Sequence, residues 1–154
     1  MGALGKFGVD VEVKSDAAKV WSAIKDLPNS FSEAVPDHYK SFEIVEGDHH
    51  LAVGSVRLVK YAEGNSITMS KEKIDVIDDA TKTLAYTVLE GDAMEYYKEF
   101  KAKVVVEEKG DGSLVKWSCE FEKAKEEESP LTPDHLKEFA VATLKKLDDY
   151  LLKA

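Results

Sequence analysis

Apolar and polar residues alternate one for one at the start of the chain: Phe7, Val9, Val11 and Val13 fall on one side and Gly8, Asp10 and Glu12 on the other. That is the period-two pattern of a strand with one wet face. The period then changes. Ala17, Val20, Trp21 and Ile24 recur at steps of three and four behind Ser15, a good N-cap residue, which predicts a short amphipathic helix ending near Pro28. A second short helix is expected from Asn29 to Ala34. Between Val35 and Glu122 the runs YKSFEIVEG, GSVRLVKYAEGN, ITMSKEKIDVID, KTLAYTVLEGD, MEYYKEFKAKVVVEEKGDG and SLVKWSCEFEK read as six consecutive strands separated by turns. Short connections between them imply an antiparallel meander.

The last segment returns to helical spacing. Thr132 and Pro133 read as N-cap and first-turn proline. Beyond them Leu136, Phe139, Ala140, Thr143, Leu144, Leu147, Tyr150 and Leu151 take one face, while Lys137, Glu138, Lys145, Lys146, Asp148 and Asp149 take the other. Some 20 residues of helix span about 30 Å, and a helix that long needs a sheet to lie on. Residues 1–154 therefore read as a single α+β domain, with helices gathered on one face of a curved antiparallel sheet.

Composition adds exclusions. A chain of 154 residues suits one domain with one sizeable core. It has no apolar run long enough to span a membrane, and its opening, MGALGKFGVDVEV, lacks the basic and apolar regions of a signal peptide, so the expected location is cytoplasmic. Lys6 stands where N-myristoylation asks for Ser or Thr. The single cysteine, Cys119, sits in an alternating run and is expected to be a reduced, half-buried thiol. Acidic residues outnumber basic ones 30 to 21, a net charge of -9. Such a surface repels nucleic-acid backbones and favours solubility. A monomer is expected, with a weak dimer as the alternative.

Candidate chemistry is sparse. His49 and His50 are adjacent in a loop with no partner at metal-ligand spacing, so an exposed pair is expected, and no metal or other cofactor. The surrounding EGDHHLAVGS lacks the spacing and lysine of a phosphate-binding loop and reads as a turn bounded by Gly47 and Gly54. No nucleophile has a recognisable base. Strand parity is more informative. It places Leu84, Tyr86 and Val88 inward, with Val115, Trp117, Cys119 and Phe121, and with Met94, Tyr96, Lys98, Phe100, Ala102 and Val104. Lys98 is the odd member of its set. It is either a rim lysine reaching to water or a pocket lysine whose desolvated ammonium could transfer a proton, with Tyr96 and Tyr86 beside it. No inward carboxylate is legible.

The strings AVPDHYKSFEIVEGD, VGSV, VLEGD, YKEFKAKVVV, GDGSLVKWSCEFEK and FAVATLKKLDDYLLK, in this order over the whole chain, resemble the major latex protein branch of the birch-pollen-allergen family of plant proteins, also called pathogenesis-related class ten. The resemblance implies a helix-grip fold: a seven-stranded antiparallel sheet wrapped around the C-terminal helix, two short helices after the first strand, and an internal apolar cavity. It implies a hydrophobic plant ligand such as a terpenoid, sterol, flavonoid or alkaloid intermediate, in defence or specialised metabolism. Some members instead catalyse cyclisation, condensation or isomerisation without a cofactor, for which Lys98 and Tyr96 are the candidate acid and base. A hormone-sensing module is a third possibility. The ligand-contacting set expected is His38, Leu58, Tyr61, Met69, Leu84, Tyr86, Tyr96, Lys98, Phe100, Phe139, Ala140, Thr143 and Leu144, where the small Ala140 and Thr143 leave room on the helix face.

Overall fold

The first strand pairs with the last. In the computed structural model, which describes residues 4–47, 52–65, 67–124 and 132–153, β1 (Leu4–Val13) lies antiparallel to β7 (Gly112–Lys123). The strands between are β2 (Tyr39–Glu46), β3 (Val56–Tyr61), β4 (Met69–Asp78), β5 (Thr83–Gly91) and β6 (Tyr97–Lys109). They form one seven-stranded sheet in the order β1-β7-β6-β5-β4-β3-β2, every neighbouring pair antiparallel. Two short helices, α1 (Ala17–Lys25) and α2 (Leu27–Ala34), follow β1, and α3 (Pro133–Lys153) closes the chain. This is the expected helix-grip architecture.

Two helix boundaries differ from the expectation. The N-cap of α1 is Asp16, whose carboxylate accepts from the Lys19 N–H at 2.9 Å. Ser15 is drawn into a tertiary contact instead, donating its N–H and hydroxyl to Asp148 of α3 at 2.9 and 2.6 Å. The second helix starts at Leu27, with Pro28 in its first turn. A proline there forfeits no intrahelical bond, so it opens α2 rather than ending α1. Thr132 caps α3 as expected, its hydroxyl accepting from the His135 N–H at 3.1 Å.

The core lies between the concave sheet face and the helices. Val35, Ile74, Val115 and Thr143 are fully enclosed, and Leu144 and Leu147 carry the inner face of α3. Gly47 and Gly54 have φ of +117° and +90°, a backbone conformation that glycine adopts without strain, and residues 48–51 of the expected turn lie outside the described residues. His49 and His50 lie outside the described residues. Gly91 ends β5 at φ +135°, against the Met69 carbonyl that a Cβ would strike at 2.4 Å, and a single 3-10 turn, Asp92–Glu95, leads into β6. Among the described residues no helix is long and apolar enough to cross a membrane.

Candidate functional site

Strand parity places a polar cluster inside the fold. On β3, Arg57, Val59 and Tyr61 line the interior, and on β4 Ser70 and Glu72 do so, followed by buried Ile74. Leu58 and Met69 belong to the opposite parity, are half-buried and do not line it. Leu84 and Tyr86 come from β5, Phe100 and Val104 from β6, and Trp117 and Cys119 from β7. Phe139, Ala140 and Leu144 close the space from α3.

The interior is not filled. One cavity of ≈ 50 Å³ lies towards Ile24, Phe31 and Leu144, and a second of ≈ 90 Å³ lies towards Val88, Ala93, Phe100, Leu136 and Phe139. Both are bordered by Tyr39, Tyr61, Glu72, Tyr86 and Trp117, so the polar cluster stands between them. Each exceeds the ~10–15 Å³ that one water-sized occupant requires. The larger extends to His135 and Lys137 near the start of α3, where His135 is exposed and Lys137 half-buried, so this end of the cavity approaches the surface.

Within the cluster, Nε of Arg57 donates to Oε1 of Glu72 at 2.7 Å, and the Ser70 hydroxyl donates to Oε2 at 3.0 Å. Both charged side chains are about 5% exposed, at 6% and 5%. The guanidinium carbon lies 5.0 Å from the centre of the Tyr86 ring, a geometry in which the ring quadrupole supports the cation. Nη1 of Arg57 is buried and has no hydrogen-bond acceptor among the described residues. Burial pushes the phenols of Tyr39, Tyr61 and Tyr86 above their ordinary value, with the Glu72 carboxylate adding to the rise and Arg57 opposing it; at Tyr39 a hydrogen bond with Thr143 also opposes it. The three phenols are thus neutral donors at any physiological pH. The Cys119 thiol is pushed up to about 12 by burial and by Glu72, and is a poor nucleophile near neutrality.

His38 and Thr143 stand behind the lining. The His38 ring lies 2.8 Å by Nδ1 from the Thr143 hydroxyl and stacks on Phe139 with centroids 4.0 Å apart. Burial lowers the His38 pKa, as does Lys146, against the opposing charge of Asp37. The neutral imidazole therefore fixes the Phe139 ring rather than touching the cavity itself.

The proposed acid and base lie elsewhere. Lys98 points to solvent, 75% exposed, with Nζ 3.5 Å from Glu122. The cause is a register shift between Tyr97 and Glu99. Tyr97 and Phe100, three residues apart, are both buried, so Lys98 and Glu99 both face outward. Tyr96 ends the 3-10 turn, half-buried at the core's edge and outside the cavity lining. Of the expected ligand-contacting set, the structure brings Tyr61, Leu84, Tyr86, Phe100, Phe139, Ala140 and Leu144 to the cavities.

The inward carboxylate that sequence reasoning missed is Glu72. Its signal was parity with Ser70 and Ile74 on an alternating strand. Arg57 carried a plainer signal: it is the only arginine in a chain otherwise basic through lysine, set in the apolar run VRLV. Among the described residues no group of three or more His, Cys, Asp or Glu side chains is placed to hold a metal ion.

The Pathogenesis-related protein Bet v 1 family model matches residues 3–154. MLP-like protein 423 of Arabidopsis thaliana is 44% identical over 154 residues, 99% of this chain and 97% of that protein. Major latex protein 149 of Papaver somniferum is 36% identical, covering 97% and 92% of the two chains. The crystal structure of ginseng major latex-like protein 151 from Panax ginseng superposes with a TM-score of 0.86 at 28% identity, over 98% of this chain and 99% of that one. Truncated norcoclaurine synthase from Thalictrum flavum superposes with a TM-score of 0.79 at 18% identity, over 99% and 96%, a likeness of fold.

Proposed function

The chain belongs to the pathogenesis-related Bet v 1 family, in its major latex protein-like branch, and from that membership we propose that it takes a hydrophobic plant metabolite, of terpenoid, sterol, flavonoid or alkaloid-intermediate type, into the space between the sheet and α3. The observation that carries this reading is the pair of apolar-walled cavities meeting at one buried polar cluster. Transfer of apolar ligand surface from water contributes about 25 cal/mol per Å², and the few polar groups orient the guest. A guest larger than the cavities is accommodated by displacing the Phe139 and Leu136 side chains at the end of the larger cavity that approaches the surface. The same reading has the protein acting as a cytoplasmic monomer in defence or specialised metabolism.

Native mass spectrometry of the protein taken from its source tissue tests it. A co-purifying small molecule, released when bulky side chains replace Ala140, is the expected result. Protein that is ligand-free as isolated and binds no apolar probe overturns the reading.

Glu72 favours one second reading, a cofactor-free cyclase or isomerase. A carboxylate facing the cavity beside three neutral phenols supplies a base and donors for proton transfer. In incubations with candidate intermediates, protein-dependent turnover that Glu72→Gln abolishes, in variant protein shown by circular dichroism to be folded under the assay conditions, is the result expected if this reading holds. Equal product yields with and without protein dismiss it.

A further inference from the structure

We infer that the guest carries a neutral hydrogen-bond acceptor, a carbonyl, ester or hydroxyl oxygen, that accepts from Nη1 of Arg57; this specifies the ligand class for the cavity-binding reading above and rests on it. Arg57 lines the smaller cavity, and Nη1 is the polar side-chain atom left both buried and unpartnered among the described residues. A buried charged donor without an acceptor is costly, and the protein retains it at the one position where it has an arginine. An oxygen on the guest removes that cost on binding; a pure hydrocarbon leaves it.

The surroundings restrict the charge of the acceptor. Glu72 already neutralises the guanidinium through Nε, so a guest carboxylate would place a second anion beside Glu72 in a desolvated site. An ammonium guest fares no better, because it would place a second cation beside the guanidinium and has no acceptor to offer Nη1. The phenols of Tyr39, Tyr61 and Tyr86 are held neutral, and supply no compensating charge of either sign. A neutral oxygen on an apolar body meets every condition.

A set of shape-matched probes tests this on the intact protein: acetophenone as a neutral acceptor, ethylbenzene without one, and benzoate as the anion. Binding is followed by calorimetry and by the guanidinium resonances of arginine labelled with ¹⁵N, which report Arg57 alone because the chain has no other arginine. Acetophenone is expected to bind roughly tenfold or more tightly than ethylbenzene, to bind more tightly than benzoate, and to shift the Nη resonances. In the paired variant Arg57→Met/Glu72→Gln the preference for the ketone disappears. Equal affinity for ketone and hydrocarbon, unmoved Nη resonances, or a preference for benzoate overturns the inference while leaving the cavity reading intact. Failure of both neutral probes to bind the wild type overturns the cavity reading and the inference with it. The resonance measurement needs no variant, so the test stands even where the paired variant does not fold.

Discussion

Arg57 of β3 and Glu72 of β4 are direct register partners, and their side chains meet at 2.7 Å on the inner side of the sheet. A buried pair of this kind is costly to break, because the surviving charge has neither water nor partner. Arg57→Met alone and Glu72→Gln alone are each expected to lose about 3–5 kcal/mol, and the double variant to lose less than either. Urea denaturation of the four proteins gives the coupling directly. Additive losses would show that the two charges do not act as a pair.

His38 makes stability depend on pH in one direction. Its folded pKa lies below the ordinary 6.5 because burial and Lys146 disfavour the imidazolium. The unfolded chain therefore binds more protons in that range. The stabilisation is fully present above pH 6.5 and is lost as pH falls towards the folded value. Melting temperatures of wild type and His38→Gln, compared from pH 7.5 downwards, are expected to converge on acidification.

Cys119 reports on occupancy. It borders the larger cavity, and its thiol is pushed up to about 12, so the reactive thiolate is scarce near neutrality. Alkylation at pH 8 is expected to be about a hundredfold or more slower than for an unfolded control. An apolar guest slows it further, and a guest that leaves the rate unchanged is bound elsewhere.

Lys98→Ala is expected to change neither guest affinity nor stability by more than about 0.5 kcal/mol, as befits an exposed ion pair. Titration of the variant with any bound probe checks this. A large loss of affinity would place the ammonium in the cavity, against its observed exposure.

Lys98 also shows where sequence reasoning reaches its limit. Alternation located every strand and correctly turned Phe100, Ala102, Val104, Tyr86 and Cys119 inward, because within an unbroken ladder the side-chain period is fixed. A single bulge shifts that count by one and has no composition of its own at Tyr97-Lys98-Glu99. On β3 and β4 the mixed polarity hides the parity, so the expected lining includes Leu58 and Met69 and omits Arg57 and Glu72. Ser15 was legible as a cap and serves a partner 133 positions away, a contact that no local pattern encodes.

That partner, Asp148, accepts from the Lys14 N–H at 3.0 Å as well as from Ser15. Burial raises its pKa, but these bonds outweigh it and the net value falls below the ordinary 3.8. Asp148→Ala is expected to cost about 1–3 kcal/mol. The wild-type advantage is present above pH 3.8 and fades as pH falls towards the lowered value. Acid titrations of both proteins by circular dichroism check the sign.

The position of that clasp makes the two halves of α3 unlike. Its far half is tethered at Asp148 to the β1–α1 junction, while Leu136, Phe139 and Ala140 of its near half rest on the unfilled space. Loosening the first turns alone would widen the larger cavity and leave the Asp148 bonds unbroken, whereas displacing the far half would first have to break them.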